Sequence, residues 1–410
     1  MQVGLLMVFQ NFQDAISDRA AWERDIYLAG LAEPLGFDTL SAVEHHFDNY
    51  AMSPDNTQFL GHMAAKTERI KLLTGAVILP WNDPLRVVER MIVLDHLSKG
   101  RALFGIGRGL ARREYEVFGI DMNEARDRFD EAAELIIRGL ETGIVEGNGR
   151  YYKQVRTEVR PRPYASFKDR FYAVGMSSDS VPVVARLGAK MMSFAQKPWA
   201  DMAPHFDRYR TLYQEAHHKQ APSPVCVDFI SCDLSAEVAE ANARKYMSNY
   251  YITVMEHYEM AGDHFRKMKG YGDYADTAAL LRDTGTADAA NGFVDVNTWG
   301  TPRQILEKLE LRRRLIGDFD LTVQVSYGGL TGEQAEKSTR LFAKEVLPEV
   351  QSWEARRSGV GVCYIAHFPA YQHIRMRTDP KGGQRLEVGR NAALLPHLRI
   401  PVGDLNGSAV

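Results

Sequence analysis

The chain has 410 residues, 45% of them hydrophobic and 25% charged, and a formal net charge of only -3. That balance belongs to a soluble globular protein, and it leaves no electrostatic case for nucleic acid or an anionic membrane as a partner. No apolar run approaches the ~18 residues that a membrane span needs. The cysteines Cys226, Cys232 and Cys363 lack metal-ligand spacing, which points to reduced thiols in a cytoplasmic protein without a resident metal.

Apolar runs alternate with helical periodicity along most of the chain. The opening residues lack a basic n-region and a small-residue cleavage site, so they read as a first strand (3–9) and not as a leader. A helix over 20–35 and a strand over 37–43 follow. Ser53-Pro54 predicts a capped helix start, with a third strand over 70–79. Asp83-Pro84 opens the next helix, 101–106 reads as a fourth strand, and 123–142 as a long amphipathic helix. A hairpin is expected within 143–168. Strands at 171–174, 190–195, 225–232 and 319–325 complete eight strand–helix units, with Thr301-Pro302 starting the seventh helix. Eight units in order predict an α/β fold of the (β/α)8 TIM-barrel type over 1–350. A doubly wound sheet is disfavoured because no Gly-x-Gly-x-x-Gly follows the first strand.

Two stretches depart from this pattern. Residues 233–300 separate the seventh strand from its helix by far more than the usual few residues; 236–260 reads as helix, and the small, polar 270–292 as a mobile lid over the catalytic face. Residues 351–410 form a C-terminal extension with 8 Lys/Arg against 4 Asp/Glu. Its apolar patches suggest packing on the barrel or on a partner subunit.

Glu44-His45-His46-Phe47 falls at the C-terminal end of the second strand, where barrels place their chemistry. Histidine is the side chain best matched to proton transfer near neutral pH. Glu44 either orients an imidazole or is a buried structural carboxylate. A metal role for Glu44, His45 and His46 finds no supporting spacing. A second group lies at strands four and five. Arg108, between Gly107 and Gly109, presents a planar fork suited to phosphate. Ser177 and Ser180 lie three apart at a helix start, and Arg126 opens the long helix. Ser177 alone is an ordinary N-cap and Arg126 alone an ordinary ion-pair partner; together they are a candidate dianion site. Gly75 and Ala76, inside the third strand, mark either a resting place for a planar ring or a packing glycine. Phe9, Trp81, Tyr115 and Phe194 lie near strand ends and are candidates to line an apolar substrate pocket.

Several ordered segments carry a resemblance over about 1–350: Ala42-Val-Glu-His-His-Phe47, Leu79-Pro80, Leu94-Asp-His-Leu-Ser-Lys-Gly-Arg101, Gly105-Ile-Gly-Arg-Gly109 and Val117-Phe-Gly-Ile-Asp-Met-Asn-Glu-Ala-Arg126. In these the chain resembles the bacterial luciferase-like flavin-dependent monooxygenases. The resemblance implies FMN, used in its reduced form, with its phosphate on Arg108, Arg126, Ser177 and Ser180. It implies a non-prolyl cis bond at Gly75-Ala76 under the flavin ring, and His45 as the catalytic histidine with His46 beside it. Gly107 stands where the light-emitting members have a reactive cysteine, Met176 where they have an acidic residue at the cofactor site, and Phe194 where they have tryptophan, so a reshaped pocket is expected.

The implied activity is oxygenation of a small organic substrate with O2 through a flavin C4a-(hydro)peroxide. A separate flavin reductase would supply the cofactor and a homodimer is the default assembly. The alternatives are a deazaflavin- or FMN-dependent dehydrogenase or reductase in the same fold, and a flavin-binding subunit without catalysis.

Overall fold

The computed structural model describes residues 1–353 and, as backbone, two short strands further on. Eight parallel strands close on themselves: β1 (Val3–Met7), β2 (Thr39–Ala42), β3 (Lys71–Thr74), β4 (Ala102–Gly107), β5 (Phe171–Val174), β6 (Lys190–Phe194), β7 (Val225–Cys232) and β8 (Asp320–Gln324). Each pairs in parallel with its sequence neighbours, and β8 returns to β1 in the register Val3 to Leu321. The fold is a (β/α)8 barrel, as the eight units predict.

Strand alternation sorts the core into two layers. Val3, Leu5, Met7, Leu40, Ala42 and Leu72 point outward, under the helices. Leu6, Leu73, Leu103, Tyr172, Met192 and Val227 fill the lumen. Around the barrel run α1 (Asp18–Gly30), α2 (Asn56–Lys66), α3 (Pro84–Leu97), α4 (Ala125–Thr142), α5 (Ser180–Arg186), α6 (Trp199–His217), α7 (Pro302–Ile316) and α8 (Gly332–Glu345). Their starts follow side-chain chemistry. Asp83 accepts from Arg86 N ahead of Pro84, and Thr301 and Thr331 form reciprocal capping boxes with Gln304 and Gln334.

Several boundaries differ from the sequence reading. Asp55, not Ser53, caps α2, because its carboxylate reaches the Thr57 and Gln58 amides while the buried Ser53 hydroxyl donates to Val43 O. The third strand breaks at the cis bond Gly75-Ala76 and resumes as Val77–Ile78 beside β4. The helix expected to hold Ser177 and Ser180 at its start begins at Ser180, and the one expected from 123 at Ala125. The expected hairpin is Ile144–Asn148 against Lys153–Glu158.

The long insertion after β7 is largely helical: Ala236–Asn242, a π-helical turn Ala243–Met247, Ser248–His257, His264–Lys267, Gly272–Thr284 and Thr286–Val296. A short strand, Thr298–Gly300, which the sequence reading missed, pairs with β7. The later strands Ile374–Thr378 and Gln384–Val388 form an antiparallel hairpin in a separate unit that begins at Arg357. The expected docking of 351–410, and Cys363, fall outside the described residues.

Candidate active site at the barrel mouth

His45 follows β2, its amide donating to Ser53 O. The short helix Arg112–Val117, after β4, brings Glu114 against it. Glu114 Oε1 lies 3.1 Å from His45 Nδ1 and accepts the His46 amide at 2.8 Å. Burial alone would raise the Glu114 carboxyl. The charge and hydrogen bond of His45, with His257 and the His46 amide, bring it below the ordinary range. Because an ionised Glu114 accepts only, Nδ1 carries the proton in this arrangement, and His45 Nε2 faces Tyr258 Oη at 3.2 Å.

His257 and Tyr258 come from the insertion, more than 200 positions away in sequence. His257 Nδ1 lies 3.1 Å from Asp48 Oδ2. Burial lowers the His257 imidazole pKa, against the opposing effect of the hydrogen bond that it donates to Asp48. The Asp48 carboxyl in turn is lowered first by that hydrogen bond.

Glu44 turns away from His45. Its Oε1 accepts from Trp81 Nε1 and Asn82 Nδ2, both at 2.8 Å, and lies 3.3 Å from His46 Nε2, while Oε2 accepts the Ile78 amide at 3.2 Å. It thus ties the turn after Val77–Ile78 to β2 and fixes His46. The His46 ring packs edge-on against Phe118, 4.8 Å between centroids.

The second group assembles across β4 and β5. The Ser177 and Ser180 hydroxyls stand 3.1 Å apart, both side chains buried. Arg108 donates through Nη2 to Gly270 O at 2.9 Å and lies 3.9 Å above the Tyr271 ring. Its Nη1, and Nη2 of Arg126, are buried without a hydrogen-bond partner. Burial, and then the like charge of Arg108, lower the Arg126 pKa. Two buried guanidinium donors, with a serine hydroxyl pair at the end of the neighbouring strand, fit a phosphate dianion in charge and donor type. Gly105 is required here for space, since a Cβ would come 2.0 Å from Thr74 O. Beside the cradle, Asp273 of the insertion accepts the Ser178 amide at 2.7 Å and the Ser178 hydroxyl at 3.1 Å.

Of the aromatic candidates, Trp81 and Tyr115 meet at 5.1 Å in one cluster beside His46. The Phe194 amide is 3.0 Å from Met176 Sδ, so Met176 is tied to β6. Phe9 is elsewhere: its ring stacks on Trp22 at 4.1 Å and meets Phe59 edge-on, between barrel and helices. The strand expected over 3–9 ends at Met7, and Phe9, with a φ of 58°, turns its ring back into the outer layer. Glu114, Asp48, His257 and Tyr258 went unread in the sequence. Only Glu114 left a signal there, as one charged residue of Arg112-Arg113-Glu114 just past the glycine loop.

Comparison with known proteins identifies the family and the fold. The family model described as luciferase-like monooxygenase matches residues 1–318. The chain is 26% identical over 348 residues to an alkanal monooxygenase alpha chain of Photorhabdus luminescens, covering 84% of this chain and 95% of that one. Monooxygenase RslO1 of Streptomyces bottropensis superposes with TM-score 0.69 at 26% identity, over 85% of this chain and 100% of that one. The oxygenating constituent of 3,6-diketocamphane monooxygenase of Pseudomonas putida, solved with FMN, gives 0.68 at 19% identity, over 85% and 99%. A coenzyme F420-dependent tetrahydromethanopterin reductase of Methanopyrus kandleri shares the fold at 0.60 and 20% identity, over 85% and 99%. With a family match across most of its length, this chain belongs to the luciferase-like monooxygenases.

Proposed function

We propose that the protein is a flavin-dependent monooxygenase that uses reduced FMN and O2 to oxygenate a small organic substrate. The observation that carries the reading is the pair of buried, unpartnered guanidinium donors, Arg108 Nη1 and Arg126 Nη2, together with the buried hydroxyl pair of Ser177 and Ser180 after the neighbouring strand. Buried cations without an anion are costly, and a phosphate monoester meets both. The flavin would supply the electrons that activate oxygen. Gly75-Ala76 would lie under its ring, and Met176 would border the phosphate cradle.

The chain's own residues would handle protons and water. His45 would take a proton at Nε2 and return it there, while Glu114 at Nδ1 fixes the tautomer and stabilises the imidazolium. Trp81, Tyr115 and Phe194 would border the substrate; Phe9, in the outer layer, is too far into the packing to do so. The insertion would act as the lid, since Gly270 and Tyr271 lie on Arg108 and Asp273 on Ser178. A separate reductase would deliver the flavin, and a homodimer is the assembly expected.

The cradle would accept the phosphate of a deazaflavin equally, so the cofactor is the first thing to test. Purified protein is mixed with FMN or coenzyme F420, then with reduced FMN, a flavin reductase, 18O2 and a panel of aldehydes, ketones and aromatics. One labelled oxygen atom in a product, with FMN alone supporting it, is the expected result. Turnover with F420 and no incorporation would replace the reading with a dehydrogenase or reductase.

A further inference from the structure

His257 has chemistry that the flavin reading does not use. Its side chain is 1% exposed, and its Nε2 is buried without a hydrogen-bond partner. That nitrogen points at Glu114 Oε1, 3.8 Å away. Since Asp48 accepts at Nδ1, a neutral His257 turns the Nε2 lone pair toward an ionised carboxylate. A lone pair against a carboxylate in a buried place is unfavourable unless something positive lies between them.

We propose that His45 Nδ1, Glu114 Oε1 and His257 Nε2 form a binding site for a first-row divalent cation of the zinc class. One ligand atom from each of the three residues lies within 4.8 Å of the others. Tetrahedral ligands at about 2.0–2.1 Å from zinc stand roughly 3.4 Å apart. The 3.1 Å and 3.8 Å separations from Glu114 bracket that spacing. Donor chemistry agrees, since two imidazoles and one carboxylate suit zinc, nickel or iron and not magnesium or calcium.

The surroundings complete the case. Asp48 on His257 Nδ1 makes a carboxylate–histidine–metal relay, which fixes the ring and raises its basicity. The Tyr258 hydroxyl does the same for the other His45 nitrogen, and the His46 amide holds Glu114. Glu114 and Asp48 together neutralise a divalent charge. A surface cleft of about 630 Å3 borders His45 and Asp48, on the outer side of the cluster. The site stands independently of the flavin. Because a cation would displace the proton from His45 Nδ1, its occupancy and the proposed acid–base work of His45 exclude each other.

The test uses metal-stripped, untagged full-length protein. Zn2+ is titrated calorimetrically, and Co2+ is added as a spectroscopic substitute. One equivalent of tight binding is expected, with visible Co2+ bands of four- or five-coordinate geometry. His257→Gln and Glu114→Gln should each weaken binding at least ~100-fold, and Asp48→Asn roughly 10–100-fold, the usual effect of losing such an outer partner. Circular dichroism checks that each variant is folded. Less than one equivalent on the unsubstituted protein would overturn the proposal whatever the variants do. So would folded variants that bind as tightly, because uptake would then belong to other histidines.

Discussion

Replacing Arg126 by leucine separates a cofactor cradle from a structural ion pair, because the two roles move stability in opposite directions. In the protein without an anion, the Arg126 guanidinium is buried, faces the like charge of Arg108 and leaves Nη2 unpartnered. Asp130, whose charge acts on it, is itself 3.4 Å from Arg186. The substitution therefore removes a disfavoured charge, and the melting temperature of the apoprotein should hold or rise. With FMN present, a charge-assisted bond worth about 1.5–3 kcal/mol is lost. That is roughly a 10–150-fold rise in Kd. The assay is quenching of flavin fluorescence, with riboflavin beside FMN, since only FMN carries the phosphate. FMN affinity should fall while riboflavin affinity stays put. Equal losses for the two flavins, or an apoprotein destabilised by a kilocalorie or more, would refute the reasoning.

Glu44 should prove to be framework. Glu44→Gln leaves one acceptor oxygen for three strong donors, so urea unfolding should show a loss of about 1–3 kcal/mol; unchanged stability with lost turnover would place it in the chemistry instead. Asp273→Ala removes the tie from the insertion to Ser178, worth about 1–2 kcal/mol. Limited proteolysis within 260–300, without FMN, should speed up roughly 5–30-fold if local opening controls cleavage, and an unchanged rate would separate this contact from lid closure. Glu33 tests the frame far from the site. Its Oε2 accepts the Arg69 and Ile70 amides at 2.7 Å, and these bonds hold its carboxyl below the ordinary value despite the cost of burial. A carboxyl lowered by folding contributes fully above its unfolded pKa of about 4.3 and loses that contribution as pH falls through the folded value. Glu33→Ala should thus cost about 1–2 kcal/mol at pH 7, discounted for partial exposure, and progressively less below pH ~4 in paired denaturant melts.

The barrel was legible because its signals are local. Strand runs of four to eight apolar residues, and caps such as Asp83-Pro84 and Thr301-Pro302, each specify an element without help from elsewhere. The same holds for Ser177 and Ser180, whose three-residue spacing brings the hydroxyls together. Boundaries failed where two caps competed. Ser53 and Asp55 both suit a helix start, and only the fold shows that Val43 O takes the Ser53 hydroxyl. Phe9 packs on Trp22 and Phe59 and not at the mouth because the chain leaves the extended conformation before it, at a φ of 58° that no sequence pattern announces. The partners of His45 were out of reach for another reason. Tyr258 is 213 positions from it and Glu114 is 69, so no periodicity links them.

That distribution says how the site is built. The barrel face supplies His45, Glu114, Arg108 and the serine pair, all within the first half of the chain. The insertion supplies what completes or covers each of them: Tyr258 on His45, His257 beside Glu114, Tyr271 on Arg108 and Asp273 on Ser178. Tyr250 and Phe293 of the same insertion share one apolar cluster with Ala76, Tyr172 and Met192 at the mouth. A ring that rested on Ala76 would have to take the place of some of these side chains. On the proposed reading, binding at the mouth and movement of the insertion would be one event, with a cost set by the aromatic contacts that the ligand must replace in kind. A planar aromatic ligand replaces them; a phosphate alone does not. Inorganic phosphate should consequently fill the cradle with Tyr250 and Phe293 still packed, and only a ligand with both parts should release them.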